Sequence, residues 1–417
     1  MSAETVTIDA LGAQGDGIFH ASNGPVYVPF SLPGETLAIA RVKDHGTIVS
    51  YSETSPDRIA PACRHFGPDG KGGSCGGCSL QHMAKPAYNA FKRSLVVAAL
   101  KSKGIDIPVG ELVEAKPGER RRVVFAARRT EKEVLIGFNQ AESHHIVPIE
   151  ECPISAPGIV ASLDALKKIG GAAATTAEPF RMTVIETLSG LDVAIEGIKA
   201  LADKERRAVT ETVLALRGIS RVSVNGEIVI EPRKPLIDMS GVAVAPPPGA
   251  FTQATAAAEE AMVRLTLAHI GKVKRTADLF AGIGTFALRL ARVAQVHAVE
   301  SDEKAIRALD HAARNTQGLK PVSVERRDLF RRPLMASELK TFDAVVFDPP
   351  RAGAEEQCKE LARSVVKKIV AVSCNPLSLA RDLAILQTGG YRVTSVTPID
   401  QFLWTSHVEV VATLTKG

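Results

Sequence analysis

The chain of 417 residues is long enough for two or three domains, each with its own core. Its 45% hydrophobic and 23% charged residues are typical of a soluble globular protein, and no apolar run approaches the roughly 20 residues that span a bilayer. The amino terminus lacks a basic stretch followed by an apolar core, so we expect a cytoplasmic protein without a membrane partner. A formal net charge of +5 excludes no class of partner.

Residues 1–55 predict a small all-β unit. Short apolar runs such as GIFHA and ETLAIARVK are separated by glycine-rich or Pro-Gly turns, as in a five-stranded OB-like barrel. A helix is predicted next, at about 84–104, because apolar residues recur there at helical spacing and Gly104 ends the pattern.

Residues from about 108 to 244 are mostly β with one Ala-rich helix, and three consecutive prolines at 246–248 mark a linker. Beyond the linker strands and helices alternate, which is typical of a doubly wound parallel sheet with ligands at the carboxyl ends of its strands. We therefore predict a multidomain α/β protein with units at 1–55, 56–250 and 251–417. The helix at 84–104 is counted in the second unit but is a candidate to pack on the third.

One segment is strongly basic. Residues 116–132 contain seven Lys or Arg against two Glu, and the run RRRVVFAARR alternates basic and apolar side chains like a strand with one cationic face. This pattern predicts either a solvated sheet surface or a track for nucleic-acid phosphates.

The segment ADLFAGIGTFAL carries a glycine loop between a strand and a helix. Gly282, Gly284 and Ala287 alone are also compatible with a dinucleotide. Asp278 beside the loop would repel a pyrophosphate, but it suits the ammonium and sulfonium of S-adenosylmethionine. Glu300, 22 residues further on, is placed to accept hydrogen bonds from ribose hydroxyls.

Other roles for these acids stay open. Asp278 could cap the following helix, and Glu300 could be a surface acid. Asp328, which we expect to end the third strand of the unit, is placed near an adenine amino group.

Two further residues follow neighbouring strands of the same predicted sheet. FDAVVFDPPRAG places Asp348 after the fourth strand, and KKIVAVSCNP places Cys374 after the next. Asp348 can accept a hydrogen bond from an imide N–H, although Asp-Pro is also common in ordinary turns. A thiolate that adds to C6 of uracil makes C5 nucleophilic, so Cys374 predicts covalent catalysis of methyl transfer to C5.

A base must then remove the C5 proton before the thiol can leave. Glu409, in an apolar closing strand, is the candidate, and an edge-strand charge is the alternative. His407 has either a structural or a catalytic role. Trp404 is either a core residue or a residue on which an RNA base stacks.

Four cysteines cluster in the remaining pattern. Cys63, Cys75 and Cys78 have the spacing C-x11-C-x2-C, and Cys152 is followed by a proline. Four thiolates suit either a [4Fe–4S] cluster or zinc, and the spacing leaves both open. Cys358 lies in a helical pattern and is expected to be a packing residue.

The motifs FTQAT, DLFAGIGTF, DPPR, SCNP and HVE, in this order across residues 251–409, resemble the RNA 5-methyluridine methyltransferases that use S-adenosylmethionine. The resemblance implies that Cys374 is the nucleophile, that Glu409 accepts the proton and that Asp348 belongs to the catalytic set. It also implies a lining of cofactor and uracil by Gln253, Phe280, Thr285, Glu300, Asp328 and Asp348. RNA 5-methylcytosine enzymes typically carry a second cysteine where this chain has Arg351.

CGGCSLQH resembles the ribosomal-RNA branch of that family, which carries a [4Fe–4S] cluster and an amino-terminal TRAM domain of OB type. The resemblance implies 23S rRNA as substrate, with the tRNA T-loop enzyme as the alternative, and a Rossmann-like class I methyltransferase domain in a monomer. Thr255, Ala281 and Leu403 depart from the family pattern. Two other classes stay open: a non-catalytic RNA-binding protein with the same fold, and a dinucleotide oxidoreductase with an electron-transfer cluster.

Overall fold

The computed structural model describes residues 3–417, and the first part of this range forms a curled sheet. Its strands are β1 (Glu4–Thr7), β2 (Ala10–Leu11), β3 (Gly17–Ala21), β4 (Gly24–Val28), β5 (Thr36–Val42) and β6 (His45–Glu53). The order is β1-β5-β6-β4-β3-β2, so β1 and β2 lie at opposite edges. Only Ile8 and Asp9 separate them, and their N–H groups donate to Glu35 O and Ile18 O, which joins the two edges. Because the first apolar run divides there, the sheet has six strands where the sequence predicted five.

Helix α1 (Lys85–Lys101) starts with a proline in its first turn and is followed by Gly104, which adopts φ +69°. Its apolar face packs into a core shared with the last sheet of the chain, to which it contributes Val96 and Leu100. The chain then runs along that sheet, where Val109 and Val113 form parallel bridges to the residues 396 and 399. Residues 85–113 therefore pack against the carboxy-terminal part of the protein.

A second sheet and three helices form the middle of the chain. They are β7 (Arg122–Arg129), β8 (Val134–Asn139), β9 (Ile146–Pro148), α2 (Pro157–Ala161), α3 (Leu163–Ala173), β10 (Phe180–Thr187), β11 (Gly190–Glu196), α4 (Asp203–Leu214), β12 (Ile219–Val224) and β13 (Glu227–Ile230). The strand order is β13-β12-β11-β10-β7-β8-β9. The sequence predicted one Ala-rich helix here, which corresponds to α3. Helix α4 was missed because it is mostly polar, and it buries only Val209 and Val213, four residues apart.

A short hairpin, β14 (Ile237–Asp238) and β15 (Ala243–Val244), precedes the proline linker. Its apolar residues Ile237 and Val244 share a cluster with Ile283 and Leu288 from the carboxy-terminal part. Residues 237–244 therefore already pack on the carboxy-terminal part of the protein, although they precede the three prolines.

The last part alternates strands and helices. They are α5 (Ala256–Ile270), β16 (Arg275–Leu279), α6 (Ala287–Leu290), β17 (Gln295–Glu300), α7 (Glu303–Arg314), β18 (Val322–Arg326), α8 (Ala336–Leu339), β19 (Ala344–Phe347), α9 (Glu355–Arg363), β20 (Lys368–Ser373), α10 (Pro376–Thr388), β21 (Tyr391–Ile399) and β22 (Glu409–Lys416). The strand order is β18-β17-β16-β19-β20-β22-β21, with β16 to β20 parallel and β22 antiparallel to both neighbours.

The order of this sheet reverses between β16 and β19, so a crevice opens beyond their carboxyl ends. Strand interiors such as 344–347 are buried on both faces, as expected when helices cover a parallel sheet. Among the described residues, no helix combines the length and the apolar character needed to cross a membrane. The crevice is the place where the candidate residues of the sequence come together.

Candidate active site

The glycine loop leaves β16 through a turn of unusual backbone geometry. Phe280 adopts φ +61°, and Gly284 adopts φ +106° with Leu288 so near that a Cβ would lie 2.9 Å from its Cδ1. Gly284 is required there because a side chain would meet both strain and a clash. Thr285 lies half-buried in this loop. The loop therefore packs closely against Leu288 of helix α6.

Asp278 is fully enclosed beneath this loop, and within the described chain neither of its carboxylate oxygens has a hydrogen-bond partner. Burial raises its pKa well above the ordinary range, the backbone N–H of Ala287 at the start of α6 acts in the opposite direction, and the nearby carboxylates Asp348 and Glu300 add to the increase. Its charge would act on the crevice at short range, and a bound cation would favour the ionised form.

Glu300 ends β17 as the sequence predicted, and it holds the glycine loop in place. Its Oε2 accepts from Gly282 N at 2.9 Å, while its Oε1 accepts from the backbone N–H groups of Ser301 and Asp302 at 2.6 and 2.9 Å. Oε1 is therefore fully used by protein donors, and only Oε2 has a lone pair left for a ligand hydroxyl.

Asp328 lies two residues beyond the end of β18, and not at the strand end as expected, because the strand pairing stops at Arg326. Its Oδ1 accepts from Phe330 N at 3.0 Å. The exposed Phe330 ring lies 5.5 Å from that of Phe280, centroid to centroid. Phe330 was missed by sequence reasoning, and the signal was an aromatic residue directly after a strand-end acid.

Cys374 and Glu409 face each other across two antiparallel strands. The register pairs Ser373 with Val410. Cys374, which follows Ser373, therefore lies opposite Glu409, which precedes Val410. Burial and the Glu409 and Asp348 carboxylates raise the pKa of the Cys374 thiol to about 11. The structure thus brings together the three residues that the sequence singled out for catalysis.

The two carboxyl groups of this set are buried and close enough to influence each other. Burial raises the pKa of Asp348 to about 7, and burial together with Asp348 raises the pKa of Glu409 well above its ordinary value. Two such acids do not both ionise readily near neutral pH. Near neutral pH the pair therefore carries one proton between its two carboxyl groups, and it can release that proton or take up a second one during a reaction.

Two glutamines hold these carboxyl groups. Gln253 Nε2 donates to Asp348 Oδ2 at 2.8 Å, and Gln401 Nε2 donates to Glu409 Oε2 at 2.9 Å. Gln401 Oε1 in turn accepts from Ala254 N at 2.8 Å. Gln401 was missed by sequence reasoning, and its position two residues after a strand gave no signal.

Some polar atoms of the pocket remain unpaired within the described chain. They include Gln253 Oε1 and Glu409 Oε1, both buried. Buried polar atoms are normally satisfied, so these two point to a ligand with complementary donors or to water.

The loop after β20 is fixed by Asn375, which caps helix α10. Its Oδ1 accepts from Leu377 N at 3.1 Å, and its Nδ2 donates to Arg351 O at 3.1 Å. Cys374 is therefore tied to the loop that follows Asp348.

His407 and Trp404 lie in the connection between β21 and β22. His407 is exposed, and its ring lies edge-on to Phe402 at 6.0 Å. Although part of the residue is open to solvent, partial desolvation of the ring and the cations Arg351, Lys92 and Arg120 lower the pKa of His407. Trp404 is half-buried and packs in an apolar cluster with Leu80 and other residues, which favours the core role over base stacking.

The basic run divides into two kinds of residue. Arg121 donates to the buried Glu259 at 2.5 Å and is thus structural. Arg120 and Arg122 lie over the rings of Phe402 and Phe251, at 5.8 and 5.7 Å. This part of the basic run therefore does not present one uniform cationic face, because these three arginines, of which only Arg122 lies in β7, have different partners.

The four clustered cysteines line one small, largely apolar cavity, together with Phe66. Burial raises the pKa of Cys75 to about 11 and that of Cys78 to about 12, and the other thiols of the cavity contribute. Among the described residues, no three or more His, Cys, Asp or Glu are arranged to hold a single metal ion. Cys358 is fully buried in the core of the last sheet, in line with packing.

The architecture resembles that of a solved methyltransferase. The crystal structure of Pyrococcus abyssi tRNA (uracil-54, C5)-methyltransferase in complex with S-adenosyl-L-homocysteine superimposes with a TM-score of 0.76 at 25% identity, over 99% of each chain. The fold is accordingly a mixed α/β methyltransferase fold with a sheet-rich amino-terminal region.

Sequence comparisons give the family. Residues 240–417 match the family model described as tRNA (uracil-5-)-methyltransferase. An uncharacterized RNA methyltransferase of Agrobacterium fabrum is 70% identical over the full length of both chains. A 23S rRNA (uracil(1939)-C(5))-methyltransferase of Chromohalobacter salexigens is 29% identical over 100% of this chain and 90% of the relative. The chain belongs to the S-adenosylmethionine-dependent RNA (uracil-5-)-methyltransferase family.

Proposed function

We propose that the chain methylates C5 of a uridine in 23S rRNA through a covalent bond between Cys374 and C6 of the uracil. The observation that carries the proposal is the register of β20 and β22, which sets Cys374 opposite Glu409 at the crevice. A nucleophile and a proton acceptor are both needed at adjacent carbons of one ring, and this pairing supplies them.

The catalytic residues would act in sequence on the uracil ring. Cys374 loses its proton to solvent, its sulfur bonds to C6, and C5 becomes nucleophilic. C5 takes the methyl group as the bond between that carbon and the cofactor sulfur breaks, which leaves neutral S-adenosylhomocysteine. Ionised Glu409 then accepts the C5 proton, the C5–C6 double bond forms again, and the thiolate leaves. Asp348 accepts a hydrogen bond from the ring N–H, in an orientation fixed by Gln253.

The residues around the glycine loop fit S-adenosylmethionine, which when bound supplies a methyl group on a positively charged sulfur. The buried Asp278 provides an unpaired carboxylate for that cationic ligand, and Glu300 Oε2 has a free lone pair for a ribose hydroxyl. Phe280 and Phe330 offer two rings for the adenine. We also assign Thr285, Asp328 and Gln253 to the cofactor side of the pocket.

We assign a [4Fe–4S] cluster to the cavity of Cys63, Cys75, Cys78 and Cys152. Support comes from the four thiols that line one apolar cavity, the ligand type that such clusters require. Zinc is the alternative, because four thiolates suit that ion as well. Bound there, the cluster would connect residues 63–78 to residue 152.

The assignment to 23S rRNA is supported by the relative that aligns with the whole chain and bears that name. The curled amino-terminal sheet with joined edges fits a TRAM-type barrel. We keep units at 1–55, 56–250 and 251–417 as a proposal, with 85–113 and 237–250 packed on the third. The tRNA T-loop uridine is the second candidate, because the superimposed structure is a tRNA enzyme.

Two experiments test this proposal. Purified protein should form an SDS-stable complex with RNA that contains 5-fluorouridine, since the fluorine at C5 cannot be removed as a proton. Cys374→Ala should abolish the complex and Cys358→Ala should keep it; a complex with Cys374→Ala would refute the role of Cys374. Mapping of 5-methyluridine in rRNA and tRNA from cells lacking the gene decides between the two substrates.

A further inference from the structure

The connection between β21 and β22, residues 400–408, leads directly into Glu409. We call it the β21–β22 loop. Glu409 is the first residue of β22, and Gln401 of this loop donates to its carboxyl group, so the loop contributes to how that group is held in the crevice. The bonds that fix the loop therefore bear on catalysis.

Helix α1 holds the start of this loop. Lys92 Nζ and Tyr88 OH donate to the two carboxylate oxygens of Asp400, at 2.5 and 2.8 Å. Lys92 Nζ also donates to Phe402 O at 2.9 Å, and Tyr88 OH accepts from Trp404 N at 2.8 Å. Lys92 and Asp400 are both fully buried, so this ion pair is not weakened by solvent.

The cysteine segment holds the middle of the loop. Ser79 N and Leu80 N, the two residues directly after Cys78, both donate to Trp404 O, at 2.9 and 3.0 Å. Trp404 adopts φ +58°, a left-handed conformation that a bulky L residue rarely adopts unless its surroundings enforce it. The Trp404 backbone is thus held at both of its polar groups. Its N–H donates to Tyr88, and its carbonyl oxygen accepts from the two residues after Cys78.

We propose that Tyr88 and residues 78–80 position Glu409 through Trp404, so that the cysteine cavity and the catalytic crevice are coupled. Tyr88 is in this view a positioning residue that never touches the substrate. The inference rests on the proposed role of Glu409 and on the assignment of a metal cluster to the cysteine cavity.

The coupling acts on one step of the reaction. Bond formation by Cys374 depends on the loop after β20, which Asn375 and Arg351 hold independently of Trp404. Removal of the C5 proton depends on Glu409 and hence on the β21–β22 loop. A loosened loop should therefore leave a methylated covalent adduct that breaks down slowly.

A matched pair of tyrosine variants tests this. Tyr88→Phe removes the hydroxyl that contacts Asp400 and Trp404, while Tyr391→Phe removes an equally buried hydroxyl that donates to Val366 O at 2.8 Å, at the other end of β21. With total rRNA from the deletion strain, Tyr88→Phe should turn over roughly 10- to 100-fold more slowly, the scale for a catalytic group misplaced by about 1 Å. It should also accumulate SDS-stable methylated adduct, whereas Tyr391→Phe should do neither.

Trp404 provides a readout besides activity, because it is the single tryptophan of the chain. In Tyr88→Phe its emission should shift to the red and acrylamide should quench it more strongly. Wild-type protein stripped of metal by anaerobic chelation should show the same changes while it still binds S-adenosylmethionine. Unchanged Trp404 emission and turnover in the stripped protein would overturn the coupling to the cysteine cavity.

Glu409→Gln separates this inference from the proposed function. If Glu409→Gln traps the methylated adduct and Tyr88→Phe does not, the positioning role of Tyr88 is wrong and the role of Glu409 stands. If neither variant traps it, both are wrong. Trapping by both variants, with Tyr391→Phe behaving as wild type, supports the inference.

Discussion

Gln401 donates a 2.9 Å hydrogen bond to the Glu409 carboxylate while its own carbonyl oxygen is held by Ala254 N. The side chain thus connects the segment before helix α5 to the proposed proton acceptor. Glu409 receives its hydrogen bond from Gln401, and its other oxygen has no partner within the described chain. The hydrogen bond from Gln401 stabilises the ionised form of Glu409.

Gln401→Met should therefore impair the reaction in a pH-dependent way. The hydrogen bond from Gln401 favours ionised Glu409 and lowers its pKa against the effect of burial. Without it the pKa rises further, so the acid limb of the kcat profile should move to higher pH. Gln387→Met on the exposed face of α10 is the control. An unshifted acid limb in Gln401→Met would show that another group accepts the proton.

The charge on bound cofactor should activate Cys374. The pKa of its thiol is raised to about 11 by burial and by the Glu409 and Asp348 carboxylates, so a positive sulfur nearby should lower it. At a fixed pH below that value, Cys374 should be alkylated roughly 10-fold faster with S-adenosylmethionine than with S-adenosylhomocysteine. Peptide mass spectrometry measures this, and the uncharged product controls for blocked access. Equal alkylation rates with the two compounds would show that the sulfonium lies too far from the Cys374 thiol to affect its pKa.

The buried Glu259 should contribute strongly to stability. It accepts from Arg121 at 2.5 Å and from Arg289 at 2.6 Å, and it thereby joins the segment before β7 to helices α5 and α6. Glu259→Gln should lower the free energy of unfolding by about 3 kcal/mol, because it leaves the Arg121 guanidinium group without its counter-charge and takes the buried one of two from Arg289. The adjacent Glu260 also contacts Arg289 but is half-exposed, so Glu260→Gln should cost less than about 1 kcal/mol. Anaerobic denaturant unfolding compares them, and equal losses would refute the argument.

Protein purified without oxygen should be brown and contain about four iron atoms per chain. Cys75→Ala should lose the colour and most of the iron, because its thiol lines the cavity with the other three. Cys358→Ala should keep both, since that thiol lies in the core of the last sheet. Metal analysis and the visible spectrum give the result. A colourless wild-type preparation with stoichiometric zinc would show that the cavity holds a single zinc ion and no iron–sulfur cluster.

Two of the three proposed catalytic residues were predictable from sequence because they follow the ends of neighbouring strands. Asp348 and Cys374 each come directly after a buried strand of the parallel part, and such ends meet at one edge. Glu409 was predictable for a different reason, as a charge that opens an apolar strand. The family-like motifs added the roles, which the strand pattern alone does not give.

The supporting contacts could not be predicted in this way. Tyr88 and Asp400 lie 312 residues apart, and no periodicity indicates that a lysine and a tyrosine of one helix meet this acid. The burial of Asp278 is a similar case, because its position beside the glycine loop indicated a role toward a cationic cofactor but not that its carboxyl group is completely enclosed. Partner choice among buried polar groups depends on tertiary packing, which local sequence does not encode.

Residues 85–113 have a practical consequence for protein engineering. Helix α1 covers part of the catalytic sheet, and Val109 and Val113 border its outer strand β21. A fragment that begins at the proline linker would expose that apolar surface to water and leave Asp400 without its lysine. Chimaeras that exchange RNA-binding regions between relatives should therefore transplant this early stretch together with the carboxy-terminal half, as one inseparable module.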